Sequence, residues 1–263
     1  MEAGLRAGCA GPVFELLFRP ASGCPRGAVL YCHPFAEELN KARRMAAMQA
    51  RALAADGWAV LLLDHYGCGD SGGDFADARW EIWLADLAES WRALKQRFPG
   101  ESVGWGLRSG CLLLTEMFHR QGVDAPAVLW QPVLRGDVFL TQFLRMRVAV
   151  ERLDGGAETT SGLRDRMASG ESIEVAGYTL APALAVALDR ARLLRTHGSV
   201  LWLEVGDAAC GVAPATRRLA EEWQGQGTMV ETLVIDGEPF WSTQEIAEVP
   251  ALVHATRQWL AQR

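Results

Sequence analysis

Short apolar runs alternate with longer amphipathic segments through the first half of the chain, and that rhythm is what most limits its fold. VFELLFRP (13–20), GAVLYCHP (27–34), WAVLLLD (58–64), SVGWGL (102–107) and AVLWQPV (127–133) read as strands. Between them lie helical patterns. NKARRMAAMQARALAADG (40–57) carries an apolar stripe of Met45, Met48 and Leu53 and stops at Gly57. ARWEIWLADLAESWRALKQRF (78–98) sets Ile82, Leu84, Leu87, Trp91 and Leu94 near one face, and GCLLLTEMFHRQG (110–122) is a third helix. Strands separated by helices at this spacing call for a mostly parallel sheet covered on both faces.

After Pro132 the rhythm changes. Residues 135–195 read as helical segments, and no strong strand pattern returns until SVLWLEVGD (199–207). A helix at 213–226, a strand at 228–236 and a final helix at 248–263 complete the pattern. The expected architecture is therefore α/β: a doubly wound core of residues 1–134 and 196–263 with a helical cap inserted at 135–195. That order of elements is the plan of the α/β-hydrolase fold, which by itself establishes no activity.

The composition narrows the function classes. A formal net charge of −6 argues against nucleic acid or an anionic membrane as the main partner. The apolar runs are too short to span a bilayer, and the first residues lack a signal-peptide pattern, so the chain reads as cytoplasmic. Cys9, Cys24, Cys32, Cys68, Cys111 and Cys210 form no CxxC pair, and the five histidines form no HExxH or HxH pattern. Reduced cysteines, no metal and no cofactor are expected.

The stretch GWGLRSGCLLL (104–114) stands at a strand-to-helix junction. In a G-x-S-x-G nucleophile elbow the outer glycines allow close backbone approach while the central residue takes a strained conformation. Aligned on Gly106 and Gly110, the centre is Arg108. A register shifted by one would centre Ser109 but would put Leu107 and Cys111 where the turn has no room. Arginine is no nucleophile; it stays protonated and offers five donors. Enclosed in a pocket it needs an anionic partner, either a ligand or an acid of the chain.

The remaining pocket walls follow from the same plan. DGEPFWSTQE (236–245), where a general-base histidine is expected, contains none; Phe240 and Trp241 stand there instead. The acid position falls on Glu204 or Asp207. HPFAEELNKARRM (33–45) occupies the place of the oxyanion loop, with His33 and Phe35 in the H-G outline. It then packs Glu37, Glu38, Asn40, Lys41, Arg43 and Arg44 into eight positions. These charges read either as a solvated helix start or as acids aimed at Arg108. DHYGCGDSGG (64–73) reads as a structural turn, with His65 as a weaker rim candidate. Trp130 and Gln131 end a strand at the carboxyl edge, where ligands bind in open sheets, and Ser109 follows the elbow.

These stretches together resemble one family. HPFAEELNKARRM, DHYGCGDSGGDFADARW, WGLRSGCLL, LWQPVLRGDVFLTQFLRMR, VAGYTLAPAL and GEPFWSTQEI are similar to the second type of hydrolase associated with the exosortase A system. The resemblance runs from about residue 12 to the C-terminus. Where the family pattern reads PPFAEEMNK, this chain has His33-Pro34 ahead of the same charged segment. The resemblance implies a bacterial protein of exopolysaccharide and PEP-CTERM sorting gene clusters and the label hydrolase, with no substrate attached.

Two functions are compatible with these residues. In one, the chain is a degenerate hydrolase, a pseudoenzyme whose expected partners are a small anionic or acyl or sugar ligand and proteins of the exopolysaccharide system. Its binding set is His33, Phe35, Asn40, Ser109, Trp130, Gln131, Asp207, Phe240 and Trp241 around Arg108. In the other, it is an ester or thioester hydrolase in which Glu37 or Glu38 activates water and Arg108 stabilises the oxyanion.

Overall fold

A computed structural model describes residues 1–20 and 25–263; Cys24 lies outside the described residues. The centre is an eight-stranded sheet. Its strands are β1 (Glu2–Ala7), β2 (Pro12–Phe18), β3 (Gly27–Cys32), β4 (Trp58–Leu63), β5 (Glu101–Leu107), β6 (Ala127–Trp130), β9 (Val200–Gly206) and β10 (Val230–Asp236). Their order in space is β1-β2-β4-β3-β5-β6-β9-β10. β1 and β2 are antiparallel, β2 pairs antiparallel with β4, and the other six run parallel. The doubly wound expectation holds. The strand at residues 2–7, which the alternation did not reveal, is largely exposed and owes its place to its ladder with β2.

Helices α1 (Glu37–Ala55) and α8 (Pro250–Ala261) cover one face of the sheet. Helices α2 (Trp80–Arg97), α3 (Gly110–Gln121) and α7 (Pro214–Gly225) cover the other. The strands are apolar without interruption where both faces are covered: every residue of β3 and β6 is buried. Period-two alternation still divides them. On β6, Ala127 and Leu129 join the α2/α3 core, whereas Val128 and Trp130 join the α1/α8 core. The stripe expected on 40–57 is present, with Met45 and Leu53 buried and Met48 partly so. On α2, Trp80 and Trp83 are buried in addition to Leu84, Leu87, Trp91 and Leu94, while Ile82 sits at the margin.

Residues 135–195 form α4 (Gly136–Leu153), α5 (Thr160–Ala168) and α6 (Pro182–Arg190). They also form a hairpin not expected in a helical stretch, β7 (Ile173–Val175) and β8 (Tyr178–Leu180). Its turn is Ala176-Gly177, both at positive φ (50° and 83°), the conformation of a tight two-residue hairpin turn. α4 and α6 approach so closely that a Cβ on Gly136 would fall 1.7 Å from the carbonyl oxygen of Leu188.

Cys9, Cys32, Cys68, Cys111 and Cys210 are all unpaired thiols. Among the described residues no helix is long and apolar enough to cross a membrane, and no group of three metal-ligating side chains forms.

Candidate functional site

The chain leaves β3 toward β4 on one side, while β5 lies on its other side. This reversal opens a crevice at the carboxyl ends of β3 and β5, the place where open α/β sheets bind ligands. The loop after β3 brings His33, Pro34 and Phe35 to it; the turn after β5 brings Arg108.

Arg108 occupies the tip of that turn with φ of 55°. The flanking glycines are required by space. A Cβ on Gly106 would stand 2.9 Å from Cα of Cys111, and one on Gly110 would stand 2.2 Å from the carbonyl oxygen of Cys32. The turn is also tied into the sheet: the Arg108 amide donates to the Trp130 carbonyl at 3.0 Å, and its carbonyl accepts from the Val133 amide at 3.2 Å. Three of the four non-glycine residues at positive φ among those described lie in the turns that follow core strands: Ala36 (49°) at the start of α1 after the β3 loop, Arg108 directly after β5 and Gln131 (42°) directly after β6. Strain of this kind, of order 1–3 kcal/mol each, persists where the surroundings hold it, and it gathers at functional sites.

The guanidinium finds its partner within the chain. Nη2 of Arg108 is 3.1 Å from Oε1 of Glu38, and Nε is 3.2 Å from the same oxygen and 3.4 Å from Oε2. Glu38 sits in the first turn of α1, so helix polarity also favours its charge there. Burial pushes its carboxyl above the usual carboxylate range against the lowering influence of Arg108. Aromatic rings flank the cation: its Cζ lies 5.3 Å from the Trp241 ring centroid and 5.8 Å from that of Phe139.

Beside the pair is a cavity of about 310 Å³, with walls from Phe35, Phe139, Phe143, Met146 and Trp241 and polar groups from Glu37, Glu38, Lys41, Arg108, Gln142 and Ser242. That volume is at the small end of the ~300–1,000 Å³ typical of ligand pockets. Lys41 Nζ donates to the Thr243 carbonyl at 2.6 Å. At the rim, Glu37 accepts from Asn40 Nδ2 and from the Tyr178 hydroxyl, each at 3.2 Å. Burial and Glu37 push the Tyr178 phenol up to about 12.

The other candidate residues are distributed as follows. Ser109 is buried with its hydroxyl turned away from the cavity mouth, where Oγ accepts the Phe35 amide at 2.9 Å. Phe35 N–H is the donor that an oxyanion loop would offer, and it is already engaged. His33 is buried beneath the loop. Its Nε2 accepts from the His65 amide at 3.1 Å and its Nδ1 is 2.7 Å from the Pro34 carbonyl, which fixes the Nδ1–H tautomer. His65 packs on His33 and Trp83, and burial lowers the pKa of both imidazoles.

Trp130 is core, donating to Thr256 Oγ1 at 2.9 Å and packing on Trp105. Phe240 closes the same cluster and points away from the cavity. Gln131 uses its side-chain oxygen to accept the Val205 amide at 2.6 Å, joining β6 to β9. Asp207 is exposed and accepts from the Ala209 amide, while Glu204 accepts from Ala213 N and Thr216 Oγ1. Neither acid has an imidazole to orient. His254 lies exposed on α8, and among the described residues no histidine lines the Arg108 cavity.

The structure thus brings Phe35, Glu37, Glu38, Arg108 and Trp241 into one cavity, with Asn40 at its rim. It leaves His33, Ser109, Trp130, Gln131, Asp207 and Phe240 outside. Phe139, Phe143 and Met146 of α4, together with Lys41 and Gln142, were not singled out by sequence. The spacing of Phe139 and Phe143 is that of an ordinary core stripe, so nothing marked them as pocket walls.

The family model described as serine aminopeptidase, S33, matches residues 23–153, just under half of the chain. No curated protein matches the sequence. Among solved structures, the chain is similar to Est1E from Butyrivibrio proteoclasticus, determined with ferulic acid bound, at 15% identity and a TM-score of 0.67, covering 99% of this chain and 98% of that one. It is also similar to a thermostable carboxyl esterase from Bacillus coagulans in complex with glycerol (12% identity, TM-score 0.64, 99% and 98% covered). A third is XC6422 from Xanthomonas campestris, described as an α/β serine hydrolase without a lid (15%, 0.56, 98% and 94%). At these identities the likeness establishes the fold.

Proposed function

We propose that this chain, whose fold is that of the α/β-hydrolases, is a binding protein in which the hydrolytic machinery has been replaced. It holds a small anionic or acyl ligand in the cavity beside Arg108. Residues 135–195 act as its cap, and it works in the cytoplasm of a bacterium, within the exosortase A and exopolysaccharide system that the sequence resembles. The observation that carries the reading is the pairing at the elbow: Arg108 stands where the nucleophile belongs, joined to Glu38 and facing Trp241 from the histidine loop.

A hydrolase with rearranged machinery is the second reading. The upward shift of the Glu38 carboxyl favours it, because a general base works best with a pKa near the working pH. Two observations weigh the other way. Both oxygens of Glu38 face Arg108, and the Phe35 amide that would complete an oxyanion hole is bonded to Ser109.

Purified protein is assayed on p-nitrophenyl esters and acyl-CoA thioesters beside Arg108→Ala and Ser109→Ala. The binding reading expects no turnover in any of the three. Turnover lost only in Arg108→Ala establishes the second reading, and turnover lost only in Ser109→Ala restores an ordinary serine esterase.

A further inference from the structure

The donors of Arg108 are divided between two sides. Nε and Nη2 face Glu38, whereas Nη1 has no protein acceptor among the described residues, and Arg108 is one of the cavity's lining residues. The guanidinium therefore retains hydrogen bonds to offer, but its charge is already matched. The other ionic groups lining the cavity are Glu37 and Lys41, one of each sign, so the lining is balanced overall. Around it, the buried side chains of Phe35, Phe139, Phe143 and Trp241 supply apolar walls, with the exposed Met146 at the edge.

An apolar cavity with a balanced lining penalises any ligand that arrives with a net charge, because nothing neutralises the extra charge. A carboxylate on Nη1 would also stand beside the Glu38 carboxylate. A carbonyl accepts from Nη1 without that repulsion. An uncharged acyl group, with its chain along the phenylalanines and its carbonyl on Nη1, satisfies both demands.

We propose that Glu38 is a specificity-determining residue: by matching the charge of Arg108 it makes the cavity select an uncharged acyl group, an amide or ester, over the corresponding carboxylate. This rests on the reading of the cavity as a ligand site, and it narrows the expected anionic or acyl ligand to the uncharged class.

Calorimetric titration with octanamide, octanoate and octylamine at neutral pH tests it. Wild type binds octanamide about tenfold or more tightly than either charged probe. Glu38→Gln leaves Arg108 unmatched and shifts the preference by about tenfold toward octanoate. Arg108→Gln leaves Glu38 unmatched and shifts it toward octylamine. The double variant, again balanced, returns to octanamide. If a single variant does not fold, wild type and the double variant still decide. Octanoate bound by wild type as tightly as octanamide overturns the inference while the ligand site stands, as does a Glu38→Gln protein with unchanged preference. Failure of wild type to bind any of the three removes the ligand site and the inference together.

Discussion

Nη2 of Arg108 stands 3.1 Å from Oε1 of Glu38, with the two side chains only 17% and 18% exposed. A pair so shielded from water is costly to break from one side, because the remaining charge keeps its desolvation penalty and loses its partner. Arg108→Ala is expected to lose about 2–3 kcal/mol of unfolding free energy, and Arg108→Met paired with Glu38→Leu considerably less. Urea denaturation of the three proteins measures this.

The left-handed backbone at position 108 gives a second, separable effect. Glycine adopts φ near 55° without a Cβ penalty, so Arg108→Gly should be more stable than Arg108→Ala by about 1 kcal/mol. In a helix or strand the order would be reversed. Equal stability of the two variants would show that the elbow strain is not stored at this residue.

Two carboxylates titrate stability in opposite directions. Asp56, just past the end of α1, holds Arg257 of α8 through two contacts of 2.7 Å, and that hydrogen bonding lowers its pKa. Its contribution is present above the unfolded carboxylate pKa of about 4 and is lost as pH falls through the depressed folded value. Glu38 is raised by burial, so the folded state binds its proton more tightly than the unfolded chain. Stability from this group is highest below the unfolded pKa and declines as pH rises toward the folded value. Stability profiles between pH 3 and 8 should therefore differ from wild type with opposite slopes in Asp56→Asn and Glu38→Gln.

Ser109 serves the loop. Removing its hydroxyl leaves the buried Phe35 amide without an acceptor, at a cost of about 1–2 kcal/mol. Octanamide affinity in Ser109→Ala should stay within about threefold of wild type, because Oγ does not face the cavity. A complete loss of binding in a folded Ser109→Ala protein would place the hydroxyl in contact with ligand.

Much of this was legible in the sequence, for reasons that differ by residue. Gly106 and Gly110 fixed the elbow register because both positions lack room for a side chain, and Arg108 followed from them. Glu38 was one of several acids in a charged segment, and only the geometry of the first turn of α1 shows that it turns inward while Glu37 stays at the rim. Trp130, Gln131 and Phe240 were expected at the pocket because they end strands or lie in the histidine loop. On a strand, neighbouring side chains point to opposite faces, and a shift of one position moves a residue from cavity to core. The hairpin at 173–180 is not legible in the sequence because three-residue strands carry too little alternation to stand out within a helical stretch.

The most direct test of the central claim is the intact mass of the protein after exposure to a fluorophosphonate, which phosphonylates activated serines. With Arg108 at the elbow tip and the Ser109 hydroxyl bonded beneath it, the mass should remain that of the untreated chain. A single phosphonyl adduct mapping to Ser109 would contradict the account and make this site a working serine hydrolase.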